Sequence, residues 1–375
     1  MRERVRFVAS YETGMYRMSE LCERYGISRK TGYKWFGRFK EDRPLGLGDR
    51  SRRPHKSPNR TEREIEELLV AFRRQHPRWG PDKLLAVIRR RQPELELPAR
   101  STVAAILKRE GLVKGRRRRR HHRHPGPPVR EVTTPNELWT ADFKGQFKTR
   151  DGGWCYPLTV ADEHTRYLLA CEGLRSTEGS AVRESFDDLF REHGLPEGIR
   201  TDNGVPFVAP NAMHGLSSLS VWWIRLGIRP DRIEPGKPQQ NGRHERMHRT
   251  LKDETVCPPA QSLKAQQRRF DAFRRQFNTE RPHQALDQKT PAEFWRPSRR
   301  PYPDRIAEPK YPGHYQVRKV ASGGTIKFKN HTLVLSTTLK KQHVGLEEIA
   351  DGIWSIYFYD VLLARLDERN FEVIS

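Results

Sequence analysis

The chain has 375 residues, of which 71 are lysine or arginine against 47 aspartate or glutamate, giving a formal charge of +24, and only 35% are hydrophobic. That composition excludes one large apolar core and fits two or three modest domains, while the charge asks for a polyanionic partner, because basic surfaces displace counterions from nucleic acid. No apolar run is long enough to span a bilayer and no signal-peptide pattern opens the chain, so a soluble, cytoplasmic, nucleoid-associated protein with no membrane partner is expected.

Residues 1–45 read as a helix-turn-helix. A short helix over 18–25 would place Leu21, Cys22 and Tyr25 on one face, Gly26 permits a sharp turn, and Ser28 caps the next helix. In that helix Tyr33, Trp35, Phe36 and Phe39 are expected to be buried, leaving Arg29, Lys30, Lys34 and Arg38 for a DNA groove or its phosphates. A basic, proline-bearing linker follows over 46–60. Thr61 and Glu64 form a capping box before a helix with Ile65, Leu68, Leu69 and Phe72 on one stripe. Trp79-Gly80-Pro81 introduces a second helix and Ser101 caps a third that stops at Gly111, so residues 61–113 read as a second helix-turn-helix. Two such modules on a tether imply a bipartite DNA site. Residues 114–130 form an Arg/His/Pro-rich linker, in which Arg116, Arg117, Arg118, Arg119 and Arg120 suit phosphate contact. His121, His122 and His124 have no carboxylate or cysteine beside them to complete a metal site.

From Glu137 the pattern becomes α/β. Strands are expected over 138–147, 154–161 and 166–174, with a hairpin turn at Asp151-Gly152-Gly153, then an amphipathic helix over 180–193 with Val182, Phe186, Leu189 and Phe190 inward. A short strand over 198–201 ends at Asp202, and helices follow at roughly 215–226, 241–254 and 262–278. Three antiparallel strands, a helix, a further strand and more helices is the order of an RNase H-like fold. Asp142 and Asp202 then stand on strands and Glu245 on a later helix, an arrangement able to hold two divalent metals for phosphodiester chemistry. Three ionised carboxylates about 4 Å apart would repel by roughly 4 kcal/mol per pair at an effective dielectric of 20, which is why a cation is needed. Taken singly, Asp202-Asn203-Gly204 also reads as a hairpin turn, Asp142 as a strand-edge aspartate and Glu245 as a solvated helix residue. Arg243, His244, Arg246 and His248 flank Glu245 and would either hold the scissile strand or form a solvated basic helix face, with Asn241 offering backbone N–H groups at the helix mouth; Asp162 reads as structural. Residues 305–375 alternate in strand fashion over 316–320, 325–329, 332–335, 353–359 and 361–366, which suggests a small all-β SH3-like barrel for DNA or subunit contact, or for folding support alone. Cys22, Cys155, Cys171 and Cys257 lack metal or disulfide spacing and read as reduced, mostly buried thiols.

Several blocks stand in a recognisable order: Trp139-Thr140-Ala141-Asp142, Thr201-Asp202-Asn203-Gly204, Pro235 through Asn241-Gly242-Arg243-His244-Glu245-Arg246, and 278–286 with Thr290, Pro291 and Trp295. On these, residues 137–296 resemble the catalytic core of the DDE transposases of bacterial insertion sequences, relatives of retroviral integrases. The resemblance implies a DNA transposase acting on double-stranded element ends and target, with Asp142, Asp202 and Glu245 as catalytic metal ligands for two Mg²⁺ ions, Mn²⁺ substituting. It also implies a homo-oligomer, at least a dimer on DNA ends, that cleaves the terminal inverted repeats and joins the 3′-hydroxyls to target DNA. Glu245 lies 43 positions after Asp202, several more than is usual in that family. A non-catalytic or domesticated DNA-binding regulator and a purely hydrolytic metal-dependent nuclease are the alternatives. The expected architecture is thus multi-domain: helix-turn-helix modules at 1–45 and 61–113, an RNase H-like core at 131–300 and the β-barrel at 305–375.

Overall fold

The computed structural model describes residues 2–49, 60–113, 131–209, 212, 215–233 and 242–374. Arg116, Arg117, Arg118, Arg119 and Arg120, with the rest of the 114–130 linker, most of the 46–60 linker and Asn241, lie outside the described residues. The chain divides into two compact units, Met1–Arg63 and Glu64–Ser375.

The first unit holds α1 (Arg2–Glu12), α2 (Met18–Arg24) and α3 (Arg29–Asp42). Gly26 takes φ +61° to turn the chain, and Ser28 caps α3 by accepting from the Thr31 N–H, both as expected. The core is Phe7, Val8, Met18, Leu21, Cys22 and Leu47, with Tyr25 and Trp35 edge-on to Phe7. A Cβ at Gly32 would lie 2.6 Å from Cys22 Sγ and 2.8 Å from Met18 Sδ, so glycine sets the approach of α2 to α3. The inward stripe of α3 is therefore Gly32, Trp35, Phe36 and Phe39. Tyr33 falls about 100° round the helix from Gly32 and is 57% exposed, against the expectation that it is buried. Neither α1 nor the return of the chain through the short 3-10 turn Arg43–Leu47 was legible as core, yet α1 brings Phe7 and Val8 and the turn brings Leu47.

The second unit opens with α4 (Arg63–Gln75), α5 (Pro81–Arg91) and α6 (Arg100–Arg109) around Leu69, Trp79, Leu84, Ile88, Val103 and Leu107. Ser101 does not cap α6: the extended backbone ends at Ala99, which is the N-cap without a side-chain bond, and Ser101 lies inside the helix. Arg78 pairs with Asp253 at 2.6 Å, Arg90 with Glu293 at 3.3 Å and Arg91 with Glu280 at 3.9 Å, seating this bundle on the core that follows.

In that core β1 (Trp139–Phe143) runs antiparallel to β3 (Trp154–Asp162), which pairs with β4 (Leu168–Leu174) on its other side. The strand expected over 138–147 breaks at Gly145, φ +89°, so that β2 (Phe147–Lys148) forms only the hairpin with the start of β3. β1 is parallel to β5 (Gly198–Thr201), and β5 to β6 (Arg229–Arg232), a strand the sequence did not betray because Arg229-Pro230-Asp231-Arg232 is polar. Buried Arg200 of β5 pairs with Asp231 of β6 at 2.8 Å. The sheet order is thus β4-β3-β1-β5-β6, with helices on both faces. α7 (Gly179–His193) and α8 (Ser218–Arg225) pack on Trp139, Ala141, Leu158 and Val160, with all four expected inward residues of α7 buried. On the other face α9 (Gly242–Leu251), a π-helical turn Lys252–Val256 and α10 (Leu263–Thr279) enclose Cys155, Cys171, Met247, Leu251, Phe270 and Phe273. The short α11 (Pro291–Phe294) brings in Trp295, stacked on Tyr167. Cys257 is the exposed exception among four reduced cysteines. No described helix is long and apolar enough to cross a membrane.

The C-terminal part has seven strands: β7 (Gln316–Lys319), β8 (Thr325–Phe328), β9 (His331–Val334), β10 (His343–Ala350), β11 (Ile353–Phe358), β12 (Val361–Asp367) and β13 (Glu372–Ile374). They form a five-stranded antiparallel sheet, β13-β12-β11-β10-β7, and the hairpin β8-β9, over one core that includes Phe328, Leu346, Ile356 and Phe358. Leu216, Val221 and Ile224 belong to that same core, while Leu219, Trp222 and Trp223 of α8 face the core of the β1–β6 sheet. One short helix is therefore buried on two sides and joins the β-domain to the sheet. Ile224→Ala should cost about 2–4 kcal/mol and hasten proteolytic release of the β-domain; unchanged melting and cleavage would show that the two parts do not share a core.

Candidate active site

Parallel pairing does the first work. Ala141 of β1 stands beside Thr201 of β5, so the next residues, Asp142 and Asp202, leave neighbouring strands about 4.8 Å apart at the same end of the sheet. The Asp202 carboxylate accepts from the Gly204 N–H at 3.1 Å, and a Cβ at Gly204 would lie 3.1 Å from the other carboxylate oxygen. Asn203 donates to the Ile233 carbonyl at 3.0 Å, tying the turn to the end of β6. Because both neighbours of β5 are parallel to it, Asp202-Asn203-Gly204 is no hairpin turn.

Glu245 comes from the first turn of α9. His244, Met247, His248 and Leu251 make the buried stripe of that helix, which leaves Glu245 on the exposed side beside it. The histidines are fastened to the sheet. His244 Nδ1 lies 2.9 Å from Thr140 Oγ1 and its Nε2 lies 2.6 Å from Thr159 Oγ1. His248 Nε2 is also 2.6 Å from Thr159 Oγ1, and the same hydroxyl donates to the Asp142 carbonyl at 3.1 Å. At 4% and 6% exposure neither ring can reach a DNA strand, contrary to expectation, and burial pushes their pKa values down to about 3 and about 2, so both are neutral. Arg246 is exposed, whereas Arg243 is held by Glu163 at 2.7 Å. Asp162 is structural as expected: it is buried and accepts from the Asn136 N–H and from the N–H and hydroxyl of Thr165. Arg29, Lys30 and Lys34 are exposed on α3, and Arg38 is half-buried.

Electrostatics joins the three acids. Asp142 is pushed up to about 7, first by burial, then by the charge of Asp202, with Glu245 adding to it. Among the described residues no three His, Cys, Asp or Glu side chains close round a single ion. Asp142 instead feels the charge of both Asp202 and Glu245. All the donors are carboxylate oxygens, the ligands of a hard divalent ion.

Residues 132–238 and 226–291 match the integrase core domain family, the first span holding Asp142 and Asp202 and the second Glu245. Residues 3–55 match a helix-turn-helix domain, and 31–107 a homeodomain-like domain. The chain carries an integrase core. An uncharacterized 31.7 kDa protein of insertion element IS407 from Burkholderia multivorans is 26% identical over 243 residues, 63% of this chain and 82% of that one. An uncharacterized 39.2 kDa protein of insertion element IS476 from Xanthomonas euvesicatoria is 28% identical over 262 residues, 69% and 72% of the two chains. The Gag-Pol polyprotein of avian reticuloendotheliosis virus is 32% identical over 120 residues, 32% of this chain and 10% of the polyprotein. The protein is an enzyme of the DNA transposase and integrase class, with DNA-binding helix-turn-helix modules ahead of its integrase core.

Sequence reasoning missed Thr140 and Thr159. The signal was present in the spacing of His244, Met247, His248 and Leu251, which is a helix face turned inward and so requires hydroxyl or carbonyl partners on the sheet. The raised Asp142 carries a sign: the folded state binds the proton more tightly, so ionisation penalises folding as pH climbs from about 4 to about 7. Asp142→Asn should therefore stabilise the chelator-treated protein at pH 8 by on the order of 1–3 kcal/mol and hardly at all at pH 4. Denaturant midpoints at the two pH values measure this, and a destabilised variant at pH 8 would contradict it.

Proposed function

We propose that this protein is the transposase of an insertion element, which binds the element's terminal inverted repeats, cleaves its ends and joins the 3′-hydroxyls to target DNA. The observation that carries the reading is that Asp142 and Asp202 directly follow the paired residues Ala141 and Thr201 of adjacent parallel strands, with the charge of Glu245 on α9 felt at Asp142. Asp142 with Asp202, and Asp142 with Glu245, would each hold one Mg²⁺, with Mn²⁺ able to substitute. Bound there, the ions would supply charge to activate the attacking oxygen and stabilise the leaving one in an in-line displacement. The protein's own part is to keep the three carboxylates at fixed strand and helix positions, so that no reorganisation is needed at the moment of reaction. Arg246, and Arg243 to the extent that Glu163 releases it, would lie along the scissile strand, and Asn241 would contact a phosphate.

Arg29, Lys30, Lys34 and Arg38 would contact the element end, and the five arginines from Arg116 to Arg120 would neutralise phosphates between the modules and the core. We read the C-terminal domain as an SH3-like barrel serving DNA or subunit contact, and the working form as a homo-oligomer at the nucleoid, because two ends must be cut and joined together. Asp142→Asn, Asp202→Asn and Glu245→Gln should each abolish cleavage and joining while end binding in a gel-shift assay stays near wild type. Activity should appear with Mg²⁺ or Mn²⁺ and be slight with Ca²⁺, whose longer bonds misplace the reacting oxygens. Transfer of labelled ends into a plasmid is the deciding measurement: cleavage without transfer would leave a nuclease, and binding without cleavage a regulator.

A further inference from the structure

Resting on that reading of the three acids, we propose that Thr159 is a positioning residue which, through His244 and His248, sets the placement of Glu245 relative to Asp142. The hydroxyl of Thr159 has one proton and two lone pairs, and it has three partners. It donates to the Asp142 carbonyl and accepts from the Nε2–H groups of His244 and His248, at 3.1, 2.6 and 2.6 Å. His244 Nδ1 then accepts from Thr140, whose hydroxyl lies closer to it, at 2.9 Å, than to the Ala161 carbonyl at 3.2 Å. With the Thr159 proton given to the Asp142 carbonyl, each neutral ring carries its own proton on Nε2. This leaves the lone pair of His248 Nδ1, 3.8 Å from Asp142 Oδ2, on the side facing that carboxylate, where it offers no proton to draw the carboxylate toward the helix.

The geometry follows from who is bonded to whom. One hydroxyl grips the backbone of the residue that carries the first acid, and it grips α9 at the positions one before and three after the residue that carries the third. Thr159 is directly opposite Asp142 in the β1–β3 register, so the grip is as short as the fold allows. Met247 and Leu251 bury α9 against α10 and the sheet, but apolar contact tolerates a slide along the helix axis that two hydrogen bonds to one hydroxyl, itself bonded to β1, do not. Thr159 touches neither DNA nor an ion under this scheme. Its effect is on the carboxylate pair Asp142 and Glu245, and hence on the metal affinity of that half of the site.

The test is the Mg²⁺ concentration that half-saturates cleavage of a labelled element end by the full-length protein, measured well below the melting temperature. Thr159→Val keeps the volume and removes the hydroxyl; it should raise that concentration about tenfold or more, the size of effect seen when a partner of a metal ligand is removed. DNA-end affinity should be unchanged, and Thr159→Ser should restore wild-type metal dependence. His248→Phe, which removes one arm of the grip, should shift the metal dependence in the same direction, and it decides the matter if the valine variant does not fold. A fall in melting temperature with no change in half-saturating Mg²⁺ would overturn the proposal, since that is all a merely structural threonine would give. Asp142→Asn separates the two levels of the argument. If it is inactive while Thr159→Val shows wild-type metal dependence, only the positioning role fails; if it retains metal-dependent cleavage, the reading of the acids themselves fails.

Discussion

The rest of the integrase core depends on the parallel pairing of β1 with β5. An antiparallel neighbour would have carried Asp202 to the far end of the sheet, whereas the parallel one sets it beside Asp142, one residue beyond the Ala141–Thr201 pair. That placement is electrostatically unfavourable in itself: at about 4 Å and an effective dielectric of 20, two carboxylates repel by roughly 4 kcal/mol. Burial makes the penalty fall mainly on Asp142, as its raised pKa shows. The fold tolerates the strain because β1 is an inner strand, flanked by β3 and β5 and backed by Trp139 and Ala141 in the apolar core. Under the proposed reading a divalent ion would relieve that repulsion, which would tie metal binding to the stability of the sheet.

The second constraint is the attachment of α9. A helix carrying Gly242, Arg243, Arg246 and Arg249 has little apolar surface of its own, and Met247 and Leu251 supply most of it. Two histidines complete its inward face, which requires polar partners inside the protein, and Thr140 and Thr159 meet that need from β1 and β3. Buried polar groups of this sort are costly when unmatched and specific when matched. Elsewhere the chain uses its scarce acids as fasteners. Asp253, Glu280 and Glu293 seat the α4–α6 bundle through partly exposed ion pairs with Arg78, Arg91 and Arg90. Contacts of this kind are worth at most about 1 kcal/mol each, so salt weakens the attachment.

The sequence by itself determined the elements whose signals are local. The cap at Ser28, the turn at Gly26, the inward face of α7 and the strand ending at Asp202 are all set by a few neighbouring residues, and each was found where expected. The three acids were singled out from the blocks around them, which are short and contiguous. Only the tertiary structure decided what rests on contacts between distant segments. Polar β6 is a strand because β5 offers it hydrogen bonds and Arg200 offers Asp231 a partner. Tyr33 is outside because Gly32, not an aromatic ring, lies at the closest approach of α2 to α3. α8 faces two cores because the β-domain folds back upon it. His244 and His248 looked like ligands for a phosphate when read beside Arg243 and Arg246, and they lie buried on the same helix face as Met247 and Leu251 because Thr140 and Thr159, distant in sequence, supply their polar partners.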